Sequence, residues 1–143
     1  IVDKSLPQAQ LAANEAAARK YATFWNTGTP SLAREALAVN FIDKTPPEGR
    51  KQGPEGAILA SRAFRTAVPD LRCHVEQRII SGNRVVSHLH FHGTFTGTFG
   101  ELKGKGQKID FIATDIYEIN DGKIVANWHI EDNLTLMKQL GAL

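Results

Sequence analysis

The sequence predicts an α+β domain in which helices cover one face of a curved antiparallel sheet. Three observations predict it. Helix-forming segments crowd the first half of the 143 residues. Strand-like alternation takes over from about residue 72. Near the end, Asp121-Gly122 sits between two alternating segments, a strong signal for a tight hairpin because a type I′ turn needs positive φ at both central residues. Helices first and an antiparallel meander after them imply two packed layers, with a small-molecule cavity between sheet and helices.

Residues 6–25 are rich in alanine, glutamate, lysine and arginine, which favour helix. Leu11, Ala18, Tyr21, Ala22 and Trp25 fall near helical spacing and lay one stripe on a core. The run from Asn26 to Pro30 ends this helix, and Ser31 is placed to cap a short second one through Leu37. Phe41 to Lys44 reads as a short strand, and Thr45 to Pro54 as a loop. A third helix spans residues 54–67, with Pro54 near its start and Val68-Pro69-Asp70 as its stop. Residues 72–80 and 84–96 are strands separated by Ser81-Gly82-Asn83. The glycine-rich stretch from Thr98 to Gln107 fits no strand–loop–helix phosphate motif and reads as a flexible loop at a cavity rim. Residues 108–119 and 123–132 form the hairpin, and residues 133–140 a closing helix.

Length and composition favour one domain over residues 1–143. Apolar content of 42% and charged content of 22% are those of an ordinary globular chain. A net charge of +2, spread without basic blocks, gives no footprint for nucleic acid. No apolar run is long enough to span a membrane. The expected location is the cytoplasm, with an exported mature form as the alternative because the chain begins at Ile1. The lone Cys73 excludes an internal disulfide and reads as a small core residue.

Counting outward from the Asp121-Gly122 turn pairs Ile119 with Ile124, Tyr117 with Ala126 and Asp115 with Trp128. One face then carries Phe111, Ala113, Asp115, Tyr117 and Ile119 beside Ile124, Ala126, Trp128, Ile130 and Asp132. Carboxylates on an apolar face are costly unless paired or neutralised, which points to a pocket with chemistry. The bland alternative has Asp115 tying down a helix end and Asp132 capping the last helix. The register separates the two aspartates by roughly 13 Å, too far for a shared proton without a bulge. His129 falls on the opposite face. Tyr21, Tyr117, Trp25 and Trp128 are candidate contacts for a flat substrate, although Tyr21 and Trp25 fit a core role as well. His88, His90 and His92 alternate along one strand, too far apart to close easily on one ion, so no metal is expected.

Tyr21-Ala-Thr-Phe-Trp-Asn-Thr-Gly28, Gly53-Pro-Glu-Gly56, Phe64-Arg-Thr-Ala-Val-Pro-Asp-Leu71, Gly93-Thr-Phe-Thr-Gly97, Asp115-Ile116, Asp121-Gly-Lys-Ile124, Trp128, Asp132 and Gln139-Leu-Gly141 occur in this order along almost the whole chain. The set resembles the SnoaL-like polyketide cyclase family of the nuclear-transport-factor-2-like superfamily. The resemblance implies a cone of three helices and a curved antiparallel sheet, an aldol-type closure or isomerisation of a polyketide-type substrate, no cofactor, and a homodimer through the outer face of the sheet. It implies Asp132 as general acid/base and Asp115 as its partner, with the order of the two open. The chain has Phe95, Ala126 and Lys44 where family members often carry histidine, glutamate and histidine. Those differences support a second reading, a small-molecule binding or accessory module. A hydrolase is the third, and would need an arginine between aspartates, which the hairpin's pocket face lacks.

Overall fold

The computed structural model describes residues 1–2 and 5–143. Four helices and a mixed five-stranded sheet are present among them. Helix α1 (Gln8–Thr27) ends at Gly28, whose left-handed φ of 76° lets its N–H reach the carbonyl of Phe24. Helix α2 (Pro30–Ala36) starts on its proline, with Thr29 at the cap position and no side-chain cap bond, so Ser31 does not cap it. Strand β1 (Leu37–Asp43) follows directly and is longer than the sequence suggests. Helix α3 (Pro54–Ala67) has the expected bounds.

Strands β2 (Arg72–Ser81), β3 (Arg84–Phe95), β6 (Gln107–Asn120) and β7 (Lys123–Glu131) form the antiparallel meander. Between β3 and β6 the glycine-rich stretch folds into a small hairpin of β4 (Thr98–Phe99) and β5 (Leu102–Lys103) rather than a plain loop. Helix α4 (Asn133–Leu140) closes the chain. The sheet order is β1-β7-β6-β3-β2. The first strand is the departure from an all-antiparallel sheet: β1 lies parallel to β7, with Asp43 beside Asn127. A parallel partner needs a long crossover, which helix α3 and the meander supply.

Helix α1 packs across the sheet and α4 packs on β6. Two apolar clusters result. One gathers Leu11, Phe24, Ile58, Val85, Tyr117 and Ile124. The other gathers Val68, Leu71, Leu89, Phe95, Ile109 and Leu140. Along β6 the inner face reads Ile109, Phe111, Ala113, Asp115, Tyr117 and Ile119, all buried, as the alternation predicts.

The β6–β7 hairpin turns where expected. Asp121 and Gly122 both have positive φ, and Ile119 pairs with Ile124. One step further the register shifts. Glu118 pairs with Ala126, leaving Val125 as an extra residue on β7. Beyond this β-bulge Tyr117 faces Asn127, Asp115 faces His129 and Ala113 faces Glu131. A one-residue slip turns every following side chain to the other face. The expected pairs Tyr117–Ala126 and Asp115–Trp128 are therefore wrong, and Trp128, Ile130 and Asp132 leave the inner face.

Candidate active site

The inner face of β6 carries a carboxyl into an apolar wall. Asp115 is buried, and Tyr117 donates its hydroxyl to Oδ2 at 2.9 Å. Burial pushes the Asp115 carboxyl up to about 6, against the hydrogen bond from Tyr117 and the charge of His129, which pull it down. Tyr21 stands edge-on to the Tyr117 ring, 5.7 Å between centroids. Its phenol is pushed above the usual tyrosine range, by burial first and then by Asp115. On β3, Ser87 lies opposite Asp115, and its buried hydroxyl has no hydrogen-bond partner. The amide oxygen of Asn127 is also unpartnered. Asn127 lines the adjoining cavity and Ser87 does not, so the unspent oxygen of Asn127 is capacity for a ligand's polar group.

The bulge brings a second ionisable group to the same wall. His129 is buried with both ring nitrogens aimed at carboxylates. Nδ1 lies 2.5 Å from Glu131, and Nε2 lies 3.0 and 2.8 Å from the two oxygens of Asp43. An imidazole flanked this way donates from both nitrogens, which is the imidazolium form. Burial alone would lower its pKa. The hydrogen bonds and charges of Glu131 and Asp43 override that and lift it to about 9.

Asp43 owes its position to the loop after β1. Thr45 donates its N–H to Oδ1 at 3.0 Å, and Arg50 approaches Oδ2 at 3.5 Å. Gln52 brackets the Asp43 backbone, accepting from its N–H at 2.8 Å and donating to its carbonyl at 3.0 Å. The Thr45 hydroxyl donates to the His129 carbonyl at 3.0 Å and accepts from the His129 N–H at 2.9 Å, tying the loop to β7.

These groups form the polar end of a cavity of about 300 Å³. Asp115, Asn127, His129, Glu131 and Arg50 line that end, and Tyr21, Trp25, Phe64, Phe91 and Phe111 supply aromatic walls. Phe91 and Phe111 stack at 5.2 Å, with Trp25 edge-on to Phe91 and Phe64 angled on Phe111. A flat apolar ligand would find faces and edges of rings on several sides.

Of the residues singled out in the sequence, Tyr21, Trp25 and Asp115 line the cavity, and Tyr117 stands behind Asp115. Asp132 does not line it. Its carboxylate caps α4, accepting from the Thr135 N–H at 3.0 Å and hydroxyl at 2.7 Å, and these bonds hold its pKa below the usual range. Trp128 faces the other side of the sheet, where the Arg84 guanidinium lies 5.7 Å from its ring. His129, placed on the wrong face by the unbulged register, is at the centre of the site. Asp43, Arg50 and Glu131 had no signal pointing inward, although Glu131 alternates with His129 and Asn127. Arg50 supplies from the loop the arginine that the hairpin lacks.

His88, His90 and His92 stand on the outer face of β3. His88 pairs with the Thr114 hydroxyl at 2.8 Å, His90 with Asp110 and Glu76, and His92 with His74 at 2.8 Å. Among the described residues, no three His, Cys, Asp or Glu side chains are grouped to hold a metal ion.

Residues 15–140 match the family described as SnoaL-like polyketide cyclase. Among solved structures, the fold is similar to that of a candidate polyketide cyclase from Bacillus cereus ATCC 10987, at 40% identity and a TM-score of 0.88, covering 100% of this chain and 90% of that one. It is also similar to TsrD from Streptomyces laurentii, at 25% identity and a TM-score of 0.83 over 97% of this chain and 100% of that one. IdmH, a candidate polyketide cyclase from Streptomyces antibioticus, aligns at 23% identity and a TM-score of 0.79 over 90% of this chain and 98% of that one, a likeness of fold alone. No curated protein matches the chain.

Proposed function

The chain belongs to the SnoaL-like polyketide cyclase family, and from that premise we propose that it catalyses a cofactor-independent aldol closure or isomerisation of a small aromatic, polyketide-type substrate, acting as one domain over residues 1–143. The observation that carries this reading is the facing pair on the cavity wall, Asp115 on β6 and His129 on β7. Their surroundings push their pKa values apart, one to about 6 and the other to about 9. Near neutral pH the first is a carboxylate and the second an imidazolium, which divides the roles of base and cationic stabiliser.

Asp115 removes a proton from a carbon flanked by carbonyls. A base with its pKa raised toward working pH does this better than an ordinary aspartate. The enolate oxygen that develops is stabilised by the positive charge of the His129 imidazolium, whose two N–H groups stay on Glu131 and Asp43 and need no solvent to reorganise. The enolate carbon attacks a second carbonyl, and the new alkoxide takes the proton held by Asp115, which returns the base to its starting state. The substrate is rearranged with no net gain or loss of atoms. Glu131 and Asp43 are positioning residues that keep His129 charged and aimed. The aromatic walls hold the reacting ends close, which is a large share of what ring closure needs.

Deuterium exchange into the acidic carbon of an aromatic β-keto ester, followed by NMR, tests the proton-transfer step. The wild-type protein should exchange above background, and Asp115→Asn should fall to background while remaining folded. An unchanged rate in Asp115→Asn would sink the assignment. Ligand binding by both proteins, with exchange by neither, would favour the binding-module reading. A homodimer through the outer face of the sheet goes with the family resemblance, and the exposed Ile112, Ile116 and Ile130 on that face support it.

A further inference from the structure

A second cavity, of about 550 Å³, lies outside the first, between the loop after β1, helix α3 and the β4–β5 hairpin. It is built on the same side chains as the mouth of the inner cavity: Pro47, Arg50, Ala60, Phe64 and Phe99 line both. The two spaces therefore meet at a neck, and Arg50 stands in it. That guanidinium is only about one-fifth exposed, yet among the described residues its one side-chain hydrogen bond is the long 3.5 Å contact to Asp43. A guanidinium has five N–H donors in a rigid fork. Most of them have no protein partner among the described residues. A ligand carboxylate would meet donors that otherwise only water reaches.

We propose that the two cavities are subsites of one elongated site, and that Arg50 at their junction binds a carboxylate of a substrate spanning both. The fork of Arg50 matches the two oxygens of a carboxylate. The local charge argues for a monoanion. Arg50 and Lys51 are set against Asp43 and Glu48 around the neck and outer cavity, so a phosphate dianion would meet two carboxylates with little net positive charge. The aromatic inner walls then hold the ring system, with its enolisable carbon at Asp115, and the outer space takes the extension that the inner cavity has no room for. This assignment rests on the acid–base reading of the inner cavity, which fixes the reacting end there.

Calorimetric titration of the full chain with anthracene-2-carboxylate and anthracene-2-carboxamide tests it. Wild type should prefer the carboxylate by about ten- to a hundredfold, the range for a charge-assisted hydrogen-bonded pair. Arg50→Gln should erase the preference while still binding the carboxamide, and Arg50→Lys should retain part of it. Ala63→Phe, which fills only the outer cavity from an exposed position, should weaken binding of 2-(2-anthryl)-3-phenylpropanoate, whose phenyl group reaches past the carboxylate, severalfold and leave that of anthracene-2-carboxylate unchanged. Equal binding of both probes by wild type, or a preference that survives in Arg50→Gln, overturns the Arg50 assignment. In that case the probes still occupy the cavity and the acid–base reading stands on its exchange test. Unchanged affinity of Ala63→Phe for the phenylpropanoate overturns the two-subsite site. Failure of wild type to bind either probe overturns both.

Discussion

At neutral pH Asp115 is a buried carboxylate, and the folded protein carries the cost of holding its charge out of water. Its folded pKa of about 6 lies above the unfolded value near 4, so the native state binds the proton more tightly. Stability therefore falls as pH rises from about 4 to about 6, and the full cost, about 2–3 kcal/mol, is present above that window. Asp115→Asn should raise Tm at pH 8, leave it unchanged at pH 3.5, and remove activity; scanning calorimetry at the two pH values checks the first two. His129 has the opposite linkage to charge. Its folded pKa of about 9 exceeds the unfolded value near 6.5, so its ion-pair contribution is complete below about 6.5 and is lost as pH rises through about 9. Turnover should then follow a bell, rising through about 6 and falling through about 9. Glu131→Gln removes the strongest support for the imidazolium, so the alkaline limb should move to lower pH, and the acidic limb should move down by less because Glu131 also helps raise Asp115. A pH–rate profile paired with an NMR titration of His129 reads this directly.

At the scale of elements, the bulge at Val125 decides which half of β7 reaches the cavity. Sequence alternation marked Ile124, Ala126, Trp128 and Ile130 as one apolar face, and the turn signal placed the first of them correctly. Beyond the bulge that apolar set covers the outside of the sheet, and the polar set of Asn127, His129 and Glu131 lines the cavity. Alternation tells which residues share a face, not which face is inside, and on β7 the residues turned outward beyond the bulge include the apolar Trp128 and Ile130. Asp132 shows the consequence. It reads as a pocket acid in the unbulged register and is a helix cap in the folded chain. Asp132→Ala should lower Tm by a few degrees through loss of the α4 cap and leave kcat within severalfold of wild type. A loss of kcat by orders of magnitude with Tm unchanged would return Asp132 to the chemistry.

At the scale of the whole molecule, the sheet has two working faces. The inner one, with helices α1 and α3 over it, encloses the site. The outer one exposes Ile112, Ile116 and Ile130 beside a half-buried Trp128, a patch that a monomer keeps small unless it is used. A second copy seated there would bury it. On the dimer proposal the wild type should sediment as a dimer and Ile130→Arg as a monomer, with the inner site intact as judged by probe binding. Sedimentation of the wild type as a monomer would remove the basis for the dimer.

Local chemistry was readable from the chain alone. The helix-rich start, the stop at Val68-Pro69-Asp70, the Asp121-Gly122 turn and the inner face of β6 with Asp115 and Tyr117 all follow from propensity, turn geometry and period-two alternation, which act over a few residues. Ordered motifs along the chain carried the family. What the tertiary structure decided was everything that depended on an event between distant segments. The parallel docking of β1 on β7 brings Asp43 to His129 across 86 positions, and no local pattern announces it. The one-residue bulge reverses a face without changing composition or alternation. The loop that delivers Arg50 is tied to β7 by Thr45 bonds to His129 that exist only once β1 and β7 have met. Sequence therefore determined the scaffold and one acid, and packing determined the partner that makes the acid useful.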